Sequence, residues 1–315
     1  MPGRGTGVKI ALIGGRRKRS GIGAYIANYF HRGGAEVAAV LGTTGQTALE
    51  AASGLRHYGI NAAPHTDFNR MLKEVQPDAI AIASPAATHF EYLMAAVSAG
   101  LPVFCEKPFI WDEAADLRDQ LNRVFSEAER RQATIAMNSQ WPFSLPFYEE
   151  LCGSLRGQTV SSFCIRLSPQ CGGREMIVES VPHALSLLYC ACGEGEISNL
   201  TTTARADGMT IYFDYACDGP GCAAEIRLTS QFKQPRDFSF GFNGKIASRR
   251  LELEGYDIYF HYEDKSLKIE DPLDLSVRDF ISAVRDRKYP RIGKEHIIGT
   301  TLMLRQIYRC CETPC

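Results

Sequence analysis

Five short, unbroken apolar runs recur through the first 138 residues, separated by longer stretches of helical periodicity. The runs are "VKIALIG" (8–14), "EVAAVLG" (36–42), "DAIAIAS" (78–84), "PVFCEKP" (102–108) and "ATIAMN" (133–138). A strand that is apolar on both faces needs cover on both sides, and strands joined through helices run parallel. Segments 22–30, 48–59, 67–75, 89–100 and 113–129 supply the helices, the fourth stopping at a helix-ending glycine, Gly100. The pattern predicts an α/β fold: an N-terminal Rossmann domain with a parallel sheet over residues 1–137.

The periodicity changes from residue 138. Segments 161–168, 199–206, 210–216, 223–230, 238–244, 250–255 and 257–263 alternate apolar with polar residues, several of them joined by Gly or Asp turns. That is the pattern of an open, mainly antiparallel sheet with one exposed face. Helical periodicity returns at 271–290 and 295–311. A second domain, α+β, is therefore expected over residues 138–315, in keeping with about 150 residues per domain. A cofactor domain followed by an open-sheet domain predicts a substrate domain, with the ligand cleft between the two.

Charge narrows the partners. Lys plus Arg number 35 and Asp plus Glu 36, so no general field draws in nucleic acid or an anionic membrane. No apolar run approaches the ~20 residues of a membrane span, and Val8 to Ile13 is too short for a secretory signal, so a cytoplasmic protein is expected. The eleven cysteines lack the paired C-x-x-C spacing of a zinc site. Reduced structural thiols are expected and no metal site is assigned, with Cys310, Cys311 and Cys315 a candidate trio for metal binding or oxidation.

The first strand runs into Gly14-Gly15-Arg16-Arg17-Lys18-Arg19-Ser20-Gly21-Ile22-Gly23. A dinucleotide fingerprint, G-x-G-x-x-G, has four residues between its outer glycines, whereas Gly14 and Gly23 have eight between them. The stretch alone equally suits a glycine turn with a solvated basic tip. Its context is that of a phosphate site, because Gly14 ends a strand and Gly23 opens a helix, where backbone N–H groups and the helix dipole face an anion. No G-K-[ST] follows, so a P-loop is excluded. The second strand ends Leu41-Gly42-Thr43-Thr44, without the acid that accepts from an NAD ribose hydroxyl. A 2′-phosphate would find hydroxyls at Thr43 and Thr44 and guanidinium forks at Arg16 and Arg17. NADP is therefore the expected cofactor, with NAD the alternative.

The stretch 77–109 contains Ser84-Pro85-Ala86-Ala87-Thr88-His89 and then Glu106-Lys107-Pro108. It resembles the glucose–fructose oxidoreductase/inositol dehydrogenase (Gfo/Idh/MocA) family, in which a strand ending [ST]-P-x-x-x-H leads through a helix to a strand carrying Glu-Lys-Pro. The resemblance implies a Rossmann domain followed by an open antiparallel sheet, and cofactor contacts from Ser84, Pro85, His89, Glu106 and Lys107. It also implies a cis Lys107-Pro108 bond that turns the lysine into the cleft. The family's acid four residues before a histidine, at the start of a helix in the second domain, corresponds to Glu179 and His183. Three departures stand out: Glu179 replaces the usual Asp, Val181 a common Gly, and Ser186 a frequent second acid.

These residue types suit hydride transfer. Oxidation of a secondary alcohol requires a group that takes the hydroxyl proton as hydride leaves carbon. Lys107 could hold the substrate oxygen and share its proton, with the imidazole of His183 beside it and Glu179 orienting that ring or accepting a substrate hydroxyl. The expected protein is an NAD(P)-dependent oxidoreductase of a sugar, polyol or similar cyclic substrate, assembled as a homodimer or homotetramer as in the family. Two other readings are an NAD-dependent glycoside hydrolase of the same family and a cofactor-binding protein without turnover. His89 is read as a cofactor contact or a brace for its strand end, and Trp141, Phe143 and Tyr148 as packing at the domain junction.

Overall fold

The computed structural model describes residues 7–15, 22–217 and 221–311. The chain divides into two units, the first comprising Met1–Asn138 with Leu273–Lys294 and the second Ser139–Pro272 with Glu295–Cys315.

The elements of the first unit alternate as expected. In chain order they are β1 (Lys9–Ile13), α1 (Gly23–Arg32), β2 (Glu36–Leu41), α2 (Gly45–Arg56), β3 (Ala63–His65), α3 (Phe68–Val75), β4 (Ala79–Ile82), α4 (His89–Ser98), β5 (Val103–Glu106), α5 (Leu117–Arg131) and β6 (Ile135–Asn138). All strand pairs are parallel, in the order β3-β2-β1-β4-β5-β6. The order reverses between β1 and β4, where a doubly wound sheet opens a crevice at its carboxyl ends. α1 buries Ala24, Ile26, Ala27 and Phe30 on one face, and Phe30 meets Phe104 edge-on at 5.5 Å. Full burial of such a ring stabilises the fold by about 1.5–3 kcal/mol.

The second unit begins with α6 (Leu145–Cys152), β7 (Ser162–Leu167) and α7 (Glu175–Cys192). It continues through β8 (Gly195–Arg205), β9 (Gly208–Cys217), β10 (Cys222–Thr229), β11 (Phe238–Phe242), β12 (Lys245–Glu252), β13 (Asp257–Tyr262) and β14 (Lys265–Ile269). These strands form an eight-stranded sheet, β14-β13-β12-β11-β7-β10-β9-β8, antiparallel apart from the β7–β10 pair. Alternation is clear on β9, where Ile211, Phe213 and Tyr215 are buried while Tyr212 and Asp214 face out. Trp141 stacks on Phe238 at 3.6 Å and the Tyr148 hydroxyl donates to Lys245 O at 2.8 Å, so this aromatic group is packing within the unit.

The chain closes with α8 (Pro272–Asp286) and α9 (Lys294–Cys310). A single cut at 137/138 does not describe this ending, because α8 returns to the first unit. Its Leu273, Val277, Phe280 and Ile281 join the core of Phe30 and Phe104. Among the described residues no helix is long and apolar enough to cross a membrane.

Candidate functional site

β1 delivers Gly14 to the sheet's carboxyl edge with φ +80°, a conformation that costs an L side chain about 1–2 kcal/mol. A Cβ at Gly14 would lie 2.7 Å from Ser84 Cα, and one at Gly23 would lie 2.3 Å from Gly14 O. Both glycines are therefore needed for the turn after β1 to press against α1 and the end of β4. α1 has no side-chain cap and no acid in its first turn, so its leading N–H groups suit an anionic ligand. Arg16, Arg17 and Gly21 lie outside the described residues, as does Cys315.

A cavity of about 510 Å³ opens here, lined by Ile13, Gly14, Gly15, Ile22, Leu41, Gly42, Thr43, Thr47, Ala51, Ala83, Ser84, Pro85, Thr88, Tyr92, Glu106 and Lys107. Its size is that of a small-molecule cleft. Most of the residues expected to touch a dinucleotide therefore share one wall. Thr44 is an exception: its hydroxyl accepts from Thr47 N and caps α2, a task that competes with binding a phosphate. Thr47 and Tyr92 line the cleft without having been singled out by sequence, since neither stands in a motif.

The far end of the cleft is built from the β4 and β5 termini. Thr88 Oγ1 donates to Pro85 O at 2.8 Å, so at 2.7 Å from Ser84 Oγ it takes the serine proton and leaves that oxygen free to accept from a ligand. His89 is 1% exposed. Its Nδ1 lies 2.9 Å from Pro108 O and 3.2 Å from Phe109 O, and its Nε2 lies 2.9 Å from Ser84 O. The ring thus stands between main-chain carbonyls of the two loops and, when neutral, donates its single N–H to one side only. The histidine is absent from the cavity lining, which sets it apart from the cofactor contacts among which sequence placed it. Burial lowers its pKa, Lys107 adding to the effect against the pull of the three carbonyls.

Lys107 lines the cleft beside Glu106, and the Lys107-Pro108 bond is cis. Glu106 and Asn138 are register partners on β5 and β6, and the Asn138 amide donates to Glu106 Oε1. Burial pushes the Glu106 carboxyl up to about 7, opposed by the Lys107 charge and the bond from Asn138. Asn138 is a site residue that sequence missed; it stood only as the last letter of a strand.

In the second unit Glu179 and His183 occupy the second and third turns of α7, not its start, because the helix begins at Glu175. Four residues apart, they project from one helix face. Arg236 Nη1 lies 3.9 Å from Glu179 Oε1 and donates to Ser168 O at 3.0 Å. The arginine carried no sequence signal, since it sits in the loop between β10 and β11.

The strand order, the glycine turn and the cleft at the order reversal define a dinucleotide-binding Rossmann domain. Residues 8–139 match the oxidoreductase family with an NAD-binding Rossmann fold. Inositol 2-dehydrogenase of Streptomyces avermitilis is 42% identical over 85 residues, 27% of this chain and 24% of that protein. Inositol 2-dehydrogenase 4 of Saccharopolyspora erythraea is 29% identical over 205 residues, 60% of this chain and 58% of that protein. The chain thus spans from a quarter to somewhat over half of the length of these curated relatives. An inositol dehydrogenase homologue from Azotobacter vinelandii, solved with NADH and myo-inositol, superposes with a TM-score of 0.65 at 13% identity, over 97% of this chain and 96% of that one. Similarity at that level speaks for the fold.

Proposed function

We propose that the chain is an oxidoreductase that moves a hydride between a nicotinamide dinucleotide and a CH–OH carbon of a cyclic polyol or sugar. One observation carries this reading: Lys107 lines the same cleft as the glycine turn, so a proton-handling group stands in the cavity suited to the cofactor. Gly14, Gly15, Ile22 and Gly23 would hold the pyrophosphate, and Ser84, Pro85 and Glu106 the far end of the dinucleotide. The bound nicotinamide supplies the hydride acceptor or donor. Lys107 holds the substrate oxygen and exchanges its proton, while His89 keeps the loops bearing Ser84 and Lys107 in place. His183 and Glu179 take part as proton partner and support, with Arg236 fixing Glu179. The substrate class rests on the relatives named inositol 2-dehydrogenase.

NADP(H) is the preferred cofactor in this reading, supported by the absence of a carboxylate at the end of β2 and of any acid in the first turn of α2. Thr43, which lines the cleft, is the hydroxyl for the 2′-phosphate, since Thr44 is committed to its cap. Self-association through the outer face of the large sheet, where Tyr212 and Ile246 are exposed, completes the proposal. The test incubates the protein and either cofactor with a panel of cyclic polyols, sugars and aryl glycosides, recording nicotinamide absorbance and aglycone release. Net cofactor reduction with a polyol or sugar supports the reading. Aglycone release without net reduction favours a glycoside hydrolase, and binding without either signal a protein that does not turn over.

A further inference from the structure

Arg249 is a charge set in an apolar row. Across the large sheet Leu228 pairs with Leu167 and Leu167 with Phe238; because Ser239 pairs with Ser248, the residue facing Phe238 on β12 is Arg249, which in turn pairs with Phe260. The four apolar members of the row are buried on the sheet's inner face, and Arg249 is half-buried among them. Its guanidinium lies 5.5 Å from the ring centre of Trp141 and 5.7 Å from that of Phe238, and its Nη2 donates to Arg236 O at 2.5 Å. Its Nε is buried with no hydrogen-bond partner among the described residues. A cation withdrawn from water is costly unless an opposite charge or hydrogen bonds offset the loss. Burial accordingly lowers the Arg249 pKa and the Arg236 charge adds to the effect, against the opposing pull of Tyr256, Asp271 and Asp237.

Arg236 brings a second guanidinium to the same place. Its loop is tied to the segment before α7, where Gln231 N donates to Pro169 O at 2.9 Å and Arg236 Nη1 to Ser168 O at 3.0 Å. The same Nη1 lies 3.9 Å from Glu179 Oε1, and these two side chains keep 30% and 32% of their surface exposed. Solvent therefore reaches the arginines from the side of Glu179.

We propose that Arg249 and Arg236 form an anion site beside Glu179, and that the cyclic substrate carries a carboxylate which this site holds. Charge selects the ligand. Among the described residues the two guanidinium groups have one carboxylate within ion-pair distance, Glu179, so one positive charge is left over. A carboxylate balances it, whereas a phosphate, at about −1.5 to −2, exceeds it. Geometry agrees, since a guanidinium offers its N–H groups as a planar fork that matches the two oxygens of a carboxylate. The Arg249 fork is also held in advance, by the attraction of the two rings and by the Arg236 carbonyl, so little side-chain freedom is lost on binding. A neutral polyol would leave the Arg249 charge uncompensated. That the acid is oxidised or formed by reduction, and not only bound, rests on the hydride-transfer reading above.

The test titrates the full chain by calorimetry with glucuronate and galacturonate, each against its neutral parent glucose or galactose, and with glucose 6-phosphate. Nicotinamide absorbance is followed in parallel samples with NADP or NAD added. Expected is at least one uronate that binds about tenfold or more tighter than its parent, the lower end of what a hydrogen bond to a charged group contributes. Arg249→Met should bring that uronate to its parent's affinity, and Arg236→Gln should narrow the gap, with the fold of each variant checked by circular dichroism. Should Arg249→Met fail to fold, the wild-type titrations and Arg236→Gln decide. Parents that bind as tightly as their uronates, a phosphate held more tightly than any uronate, or a gap that survives these substitutions overturns the proposal. A neutral sugar that reduces the cofactor while no uronate outbinds its parent strikes the acid site and leaves hydride transfer standing. A uronate held through Arg249 without any nicotinamide signal leaves the site standing and strikes hydride transfer.

Discussion

Replacing Glu106 with glutamine should make the cofactor-free protein more stable above neutral pH, because the wild-type carboxylate is charged in a place that disfavours charge. Glu106 is 7% exposed, and burial raises its pKa from 4.5 to about 7 in spite of Lys107 and the Asn138 amide. The folded state therefore binds this proton more tightly than the unfolded chain, so stability falls as pH rises from 4.5 to about 7. At about 1.4 kcal/mol per pH unit, the displacement amounts to about 3 kcal/mol of destabilisation, complete above pH 7. Glutamine keeps an oxygen to accept from Asn138 and cannot ionise. Urea denaturation of both proteins, followed by circular dichroism from pH 4.5 to 8.5, should give curves that coincide at the acid end. They should diverge to about 3 kcal/mol in favour of Glu106→Gln at the alkaline end, a large fraction of the roughly 5–15 kcal/mol that holds a domain folded. Parallel curves, or a variant weaker than wild type at pH 8, would refute the reasoning.

Removal of the His89 brace by His89→Phe should cost about 1–3 kcal/mol through the loss of its one N–H donor to a buried main-chain carbonyl, read by the same denaturation. The stability supplied by the neutral wild-type ring should be present above pH 6.5 and drain away as pH falls through its lowered folded pKa; an unchanged midpoint with weaker NADH binding would make His89 a cofactor contact instead. Gly23→Ala, whose Cβ must displace Gly14 O, should weaken NADPH binding at least tenfold in calorimetry while leaving the circular dichroism spectrum intact. NADPH should bind more tightly than NADH, and Arg16→Ala with Arg17→Ala should narrow that gap; equal affinities in the wild type would end the case for a 2′-phosphate site.

Much of the fold is written in local patterns. The runs at 8–14, 36–42, 78–84, 102–108 and 133–138 became β1, β2, β4, β5 and β6, because a strand buried on both faces must be continuously apolar. β3 escaped notice: it has three residues, Ala63 to His65, includes a proline and lies at the sheet edge. Helix α8 was legible as a helix but not as part of the first unit, since its periodicity says that Phe280 is buried without saying against what. Lys107 and the glycines were legible because strand ends carry them into the cleft. The bridge made by His89 and the pairs Glu106–Asn138 and Glu179–Arg236 depend on contacts between distant segments, which no local spacing encodes.

The proton-handling role of Lys107 is tested most directly by Lys107→Met, a chain of similar length without a proton to exchange. The measurement is the single-turnover rate of cofactor reduction on a polyol or sugar that the wild type oxidises, paired with the dissociation constant of the cofactor for both proteins. Expected is a rate about 10²–10⁴ lower at nearly unchanged cofactor affinity. A variant that turns over at close to the wild-type rate would contradict the assignment of Lys107 as the acid–base group of this cleft.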